Sequence, residues 1–220
     1  MNKSEVLQRI SEVGVIPVVR AASGEEAAKV IKAIKLGGLS ILEITMTVPG
    51  AIKVIEEVAN RYGEEVVVGA GTVLDPDTAR DCIQAGATFV VSPSLNVKTI
   101  ELCRCQSIAV FPGALTPTEV VTAWQAGADA VKIFPCGAVG GAKYLASLKA
   151  PLPQVEMIPT GGVSLATAAD FITAGAFAIG VGADLVNLSA IRSGEPDKVA
   201  EAARAYVAAV AKARSGRLGV

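Results

Sequence analysis

The sequence predicts an α/β fold, a (β/α)8 barrel with an extra N-terminal helix. Three observations carry the prediction. Short β-branched runs alternate with longer stretches of helical spacing, the pattern of parallel strands joined by helices. Eight such runs follow one another, each trailed by a helical pattern. A small-residue signal recurs in Lys35-Leu-Gly-Gly38, Gln84-Ala-Gly-Ala87, Gln125-Ala-Gly-Ala128 and Thr173-Ala-Gly-Ala176. Each closes a helix just ahead of a strand, where glycine suits a left-handed cap and a small residue allows tight entry. A doubly wound open sheet is the rival arrangement; the count of eight and the regular unit favour the barrel, the TIM architecture.

A first helix is expected over about Lys3 to Val13, with Val6, Leu7 and Ile10 at helical spacing. Val15-Ile-Pro-Val-Val-Arg20 is the first strand and ends in a charge. Ser23 caps the next helix, which stops near Gly37-Gly38. Ile41-Leu-Glu-Ile-Thr-Met46 is the second strand, and Pro49 is expected to open the helix that runs to about Tyr62-Gly63. Val66-Val-Val-Gly-Ala-Gly-Thr72 gives the third strand and its loop; Asp75 and Pro76 start the helix after it. Phe89-Val-Val-Ser-Pro93 is the fourth strand, and a helix from about Asn96 to Cys105 leads to the fifth, Ile108-Ala-Val-Phe-Pro112. Thr116 and Pro117 begin another helix by the same cap-then-proline logic. Lys132 lies on the sixth strand, Val155-Glu-Met-Ile-Pro159 is the seventh, and Ala178-Ile-Gly-Val-Gly182 the eighth. A last amphipathic helix is expected from about Pro196 to Ala213.

Composition narrows the function. The 220 residues are 51% hydrophobic and only 4% aromatic, so one domain is expected over 1–213 with a core of Ala, Val, Ile and Leu. Residues 214–220 have nothing to bury and are expected to form a flexible tail. With 20 basic and 21 acidic residues and no run of like charge, nucleic-acid and membrane-surface partners are disfavoured. No apolar run approaches the ~20 residues of a membrane span. The N-terminus also lacks the apolar middle of a secretory signal. Cys82, Cys103, Cys105 and Cys136 match no zinc or redox spacing and read as free thiols in a reducing cytoplasm. Histidine is absent, which removes the commonest general base and metal ligand and excludes Ser-His and Cys-His pairs.

In this fold the site collects at the C-terminal ends of the strands. Lys132, in Asp129-Ala-Val-Lys-Ile-Phe-Pro135, interrupts an apolar run. Burying an unpaired ammonium is costly, and an amine that sheds its proton can attack a carbonyl carbon to form a Schiff base. The alternative is a lysine that snorkels or is paired inside the barrel. Glu43 interrupts the second strand in the same way, as a candidate proton carrier or merely the partner of Lys132. Strand two also delivers Thr45 and Thr47, strand four Ser92 and Pro93. Arg20 can fork onto a substrate carboxylate or pair with Glu43. Thr72 follows Gly-Ala-Gly, where a ligand can approach the backbone or the chain simply turns. Thr160-Gly161-Gly162 and Gly180-Val-Gly182 follow the last two strands, where backbone N–H groups often hold an anion; turn glycines are the plainer reading.

Val15–Arg20, Leu42-Glu-Ile-Thr45, Val68-Gly-Ala-Gly-Thr72, Val91-Ser-Pro93, Phe111-Pro-Gly113, Leu115-Thr-Pro-Thr-Glu119, Val131-Lys-Ile-Phe-Pro135 and Ile158-Pro-Thr-Gly-Gly162 occur in this order across nearly the whole chain. In these segments the sequence resembles the 2-keto-3-deoxy-6-phosphogluconate / 4-hydroxy-2-oxoglutarate aldolases, class I Schiff-base enzymes. The resemblance implies that Lys132 is the Schiff-base lysine and Glu43 the proton carrier, cleaving a 4-hydroxy-2-oxo acid to pyruvate and an aldehyde. It implies that Arg20, Thr47 and Thr72 surround the pyruvate moiety, with Pro93, Phe134, Thr160, Gly161, Gly162 and Gly182 among the substrate contacts. It also implies a homotrimer, no metal and no cofactor. Some relatives carry arginine in place of Thr47, and many carry serine where this chain has Ala183, which puts phosphate preference in question. The rival functions are a phosphate-binding barrel of the epimerase or isomerase type and a non-catalytic binding protein; intact Lys132 and Glu43 argue against both.

Overall fold

The protein is described by a computed structural model covering residues 1–217. Helix α1 (Lys3–Val13) is capped reciprocally, Asn2 accepting from the Glu5 N–H at 3.1 Å and the Glu5 carboxylate from the Asn2 N–H at 2.8 Å. There follow β1 (Val15–Val19), α2 (Gly24–Leu36), β2 (Ile41–Thr45), α3 (Ala51–Tyr62), β3 (Val67–Gly71), α4 (Pro76–Gln84), β4 (Phe89–Val91) and α5 (Val97–Cys105). The second half holds β5 (Ala109–Phe111), β6 (Gly113–Ala114), α6 (Pro117–Ala126), β7 (Val131–Ile133), α7 (Ala142–Lys149), β8 (Met157–Pro159), α8 (Ala168–Thr173), β9 (Ile179–Val181), α9 (Leu188–Arg192) and α10 (Asp197–Arg217).

Caps set most of these boundaries. The side chains of Ser23, Asp75 and Thr116 accept the N–H groups of Glu26, Thr78 and Glu119, and Pro76 and Pro117 sit in the first turns behind the last two. Pro49 does not open α3 as expected. Gly50 takes φ 70° at the cap, and the bonds Val48 N–H to Thr45 O and Ala51 N–H to Val48 O, both 3.0 Å, fold Pro49 into a turn ahead of the helix. The fifth expected strand is β5; beyond Pro112, which has no N–H to give a ladder, a further short strand β6 that the sequence did not suggest pairs with β7. The final helix continues to Arg217 rather than stopping near Ala213; Arg214 anchors it by donating to Glu12 O at 2.7 Å and Phe177 O at 3.0 Å. The rest of the expected tail, 218–220, lies outside the described residues.

All strand pairs are parallel and curl into two sheets, ordered β5-β4-β3-β2-β1-β9 and β6-β7-β8. The sheets approach each other where Thr160, just past β8, bridges Gly180 of β9, and where the Phe177 N–H donates to Met157 O at 2.9 Å. Strand residues alternate between two apolar clusters, as a period of two requires. Val19, Leu42, Ile44, Val68 and Val131 join the residues of α2, α3 and α10 in the larger one. Ile16, Ile41, Val67, Phe89, Phe111, Ala130 and Ile158 form the other with Val6 and Ile10 of α1. Lys3 of α1 pairs with Asp129 at 2.7 Å, and Asp129 also accepts the Val110 N–H at 2.9 Å. Glu43 and Lys132 share the parity of Ile41 and Ala130, so both point to this second, inner side. Among the described residues no helix is long and apolar enough to cross a membrane.

Burial pushes the thiols of Cys82 and Cys136 up to about 11 and that of Cys103 up to about 12, while Cys105 is exposed. An aromatic disulfide reagent near pH 8 is therefore expected to titrate Cys105 alone in the native protein and all four cysteines in denaturant. Rapid labelling of a second cysteine in the native state would show that this core opens readily.

Candidate active site

β2 carries Glu43 and β7 carries Lys132, and the curl of the strands brings the two together. The Lys132 Nζ lies 3.7 Å from Glu43 Oε1, with each side chain 3% exposed. Glu43 Oε1 is buried without a hydrogen-bond partner among the described residues. Native structures seldom leave a buried oxygen in that state, because its desolvation goes uncompensated. Gly71 makes the room: a Cβ there would sit 2.1 Å from Glu43 Oε1. The Nζ also stands 5.3 Å above the centre of the Phe134 ring, within cation–π range when charged. The pairing of Arg20 with Glu43, one of the two sequence readings, is not what forms; Arg20 is exposed and turns to a cleft.

That cleft, about 410 Å³, gathers Arg20, Phe134, Thr160, Gly161, Gly162 and Gly182, six of the residues singled out by sequence. Val18, Ser164, Ala183 and Asp184 complete much of its wall. Lys132 and Glu43 lie outside its lining; Phe134 is the side chain common to the cleft and the lysine. Thr47, Thr72 and Pro93 are not on its wall either. Thr72 takes φ 59°, a left-handed conformation rare for a β-branched residue and concentrated at functional sites. It follows Gly71, which is in register with Thr45 and accepts the Met46 N–H at 2.8 Å, so the Thr72 turn abuts the Thr47 turn. Pro93 packs on Gly113, where a Cβ would meet the proline carbonyl carbon at 2.2 Å, and Gly113 is the register partner of Lys132. A larger hollow of about 680 Å³, lined by Glu12, Lys149, Glu156 and Arg214, includes none of these residues.

Ser164 and Asp184 escaped the sequence reading. Asp184 accepts the Leu165 N–H at 3.1 Å and a short bond from the Tyr206 hydroxyl. Burial, and then this carboxylate, hold the Tyr206 phenol above its ordinary range, so it remains a donor. The only signal was position, since each stands two places beyond the last glycine of its strand-end loop, Ser164 after Gly162 and Asp184 after Gly182.

A family profile described as KDPG and KHG aldolase matches residues 6–202. The chain belongs to the KDPG and KHG aldolase family. It is 33% identical to the KHG/KDPG aldolase of Escherichia coli (strain K12) over 88% of this chain and 90% of that relative. Among solved structures it is similar to KDPG aldolase from Legionella pneumophila with pyruvate captured at low pH as a covalent carbinolamine intermediate. That likeness has a TM-score of 0.84 at 28% identity, covering 91% of this chain and 97% of the other. A cube-shaped protein cage designed by fusing symmetric oligomeric domains gives a TM-score of 0.83 at 30% identity, over 94% of this chain and 75% of the cage chain.

A buried ion pair is weak evidence for stability, but removing one partner strands the other charge. In this KDPG and KHG aldolase family member, Lys132→Met alone is expected to destabilise the fold by about 3–5 kcal/mol in urea unfolding. Adding Glu43→Leu should return stability to within about 1 kcal/mol of the parent. A double variant as unstable as the single one would mean that the pair holds the fold together.

Proposed function

We propose that the chain is a class I aldolase that cleaves a 4-hydroxy-2-oxo acid, such as 2-keto-3-deoxy-6-phosphogluconate or 4-hydroxy-2-oxoglutarate, to pyruvate and an aldehyde. The observation that carries this reading is the buried Lys132–Glu43 pair, 3.7 Å apart, with a carboxylate oxygen that has no hydrogen-bond partner among the described residues. Family membership and the carbinolamine described for the Legionella enzyme support it.

The deprotonated amine of Lys132 adds to the C2 ketone, and loss of water gives an iminium. The iminium is an electron sink for the C3–C4 bond. Glu43, directly or through one water, takes the C4 hydroxyl proton as that bond breaks and the aldehyde departs. The resulting enamine is reprotonated at C3 by the same carboxyl, and water releases pyruvate from the lysine. General acid–base catalysis of this kind is typically worth ~10²–10⁴-fold. The scheme asks for neither a metal nor a cofactor. Arg20, Thr47 and Thr72 are proposed around the pyruvate end, with Pro93 and Phe134 beside the lysine. Thr160, Gly161, Gly162 and Gly182 are proposed at the far end, where backbone N–H groups can face an anion. Ala183 brings no hydroxyl there, but Ser164 lines the same cleft.

The two sheets are read as one closed eight-stranded barrel, β5 and β6 being a single strand interrupted at Pro112. A single domain over 1–213, a homotrimer and a cytoplasmic setting complete the proposal. The likeness to a chain built from symmetric oligomeric domains supports an assembly.

Borohydride added with pyruvate is expected to leave a reduced adduct on the peptide bearing Lys132, read by mass spectrometry. An adduct on a different lysine, or none, would remove the basis of the scheme. Glu43→Gln is expected to slow pyruvate release by about 10²-fold or more while adduct formation stays measurable. Unchanged turnover would take Glu43 out of the mechanism.

A further inference from the structure

Among the described residues Arg20 is the only cation on the cleft wall, and no hydrogen bond or ion pair there holds its guanidinium. A second hollow of about 230 Å³ also takes Arg20 into its wall, with Val186, Asn187 and Leu188. The side chain therefore has room to swing, and its aim depends on the backbone that carries it. That backbone is pinned at three points. Val19 before it closes β1, in register with Ile44. Ala21 after it belongs to the larger apolar cluster. The Ala22 N–H donates to Glu26 Oε2 at 2.7 Å. Glu26, in the first turn of α2, is gripped in turn: Arg192 at the end of α9 donates from Nε to Oε1 at 2.6 Å and from Nη2 to Oε2 at 3.3 Å. These bonds, that of Arg192 first and that of Ala22 next, hold the Glu26 carboxyl below its ordinary range, so it is ionised near neutral pH. α9 begins at Leu188, on the wall of the second hollow, so the clasp ties together the elements on both flanks of Arg20.

A surface ion pair adds little to stability, so the consequence of this one is local. The guanidinium lies against Gly182, whose Cβ would stand 3.7 Å from Arg20 Nη1, and with no partner of its own it suits an acid oxygen of the substrate. Resting on the aldolase reading, we propose that Glu26 is a positioning residue: by holding the Ala22 N–H on one side and Arg192 on the other, it fixes the loop after β1 so that Arg20 presents its guanidinium to the acid substrate. Glu26 itself touches neither the cleft wall nor the Lys132–Glu43 pair, and it acts only through Arg20.

The test follows pyruvate release from 2-keto-3-deoxy-6-phosphogluconate and from 4-hydroxy-2-oxoglutarate, and uses the acid that the parent cleaves with the greater kcat/KM. Glu26→Ala is expected to raise KM about fivefold while kcat stays within about twofold, the pattern of lost substrate binding. Arg20→Ala is expected to raise KM about tenfold, the loss of roughly one charge-assisted hydrogen bond. With Arg20→Ala in place, Glu26→Ala should add less than about twofold, because the residue it steers is gone. Exchanging the charges, Glu26→Arg with Arg192→Glu, keeps a pair between α2 and α9 but leaves the Ala22 N–H without its acceptor, so KM should stay raised. An unchanged KM in Glu26→Ala, an equal rise with and without Arg20, or a return to the parent KM in the exchanged pair overturns the proposal; the exchanged pair decides this even if Glu26→Ala misfolds. If the parent protein forms no borohydride-reducible adduct with pyruvate, it is the aldolase reading that fails, and this proposal with it.

Discussion

The structure turns on one requirement, that an amine and a carboxyl group share a buried space inside curled strands without a tight ion pair. At 3.7 Å the two charges attract but are not hydrogen-bonded, and each side chain is only 3% exposed. Most of the surrounding design follows from making that space. Gly71 omits a side chain so that the Glu43 carboxyl fits, and Gly69 does the same for the Phe89 ring, which a Cβ would meet at 2.3 Å. Phe89 and the other residues of the inner cluster then fill the lower part of the strands, below the charges. Hydrophobic packing thus fixes the depth at which the polar groups stand, and glycine fixes their separation.

Glu43 and Lys132 were legible because each breaks a local rule. A charged residue in the middle of a β-branched run has no packing reason to be there, and such conflicts concentrate at functional sites. The cap-and-proline starts of α4 and α6 were legible for the opposite reason, since local chemistry and global fold agree at those points. Arg20 was visible as a strand-end charge, but its direction was not. Whether it turned to Glu43 or to the cleft depends on neighbours distant in sequence.

Other features depend wholly on such neighbours. Asp184 sits in a loop without periodicity, and its importance comes from Tyr206, a helix away. The last helix outruns its amphipathic pattern because Arg214 finds carbonyls on Glu12 and Phe177. Pro112 was in plain view, yet the short strand beyond it follows only from the neighbour it pairs with, β7. The Thr45–Thr47 contact belongs here too. Both residues could be read as strand-end polar groups, but that Thr45 also reaches Val19 O depends on another strand.

Helix α1 carries a consequence of its own. Its Val6 and Ile10 belong to the inner cluster, and Lys3 ties it to Asp129 at the entrance of β7. The helix therefore covers one end of the curled strands, the end away from the strand-end loops. On the proposed scheme, whatever reaches the lysine comes and goes at the opposite end, so the aldehyde clears that end before bulk solvent follows it down.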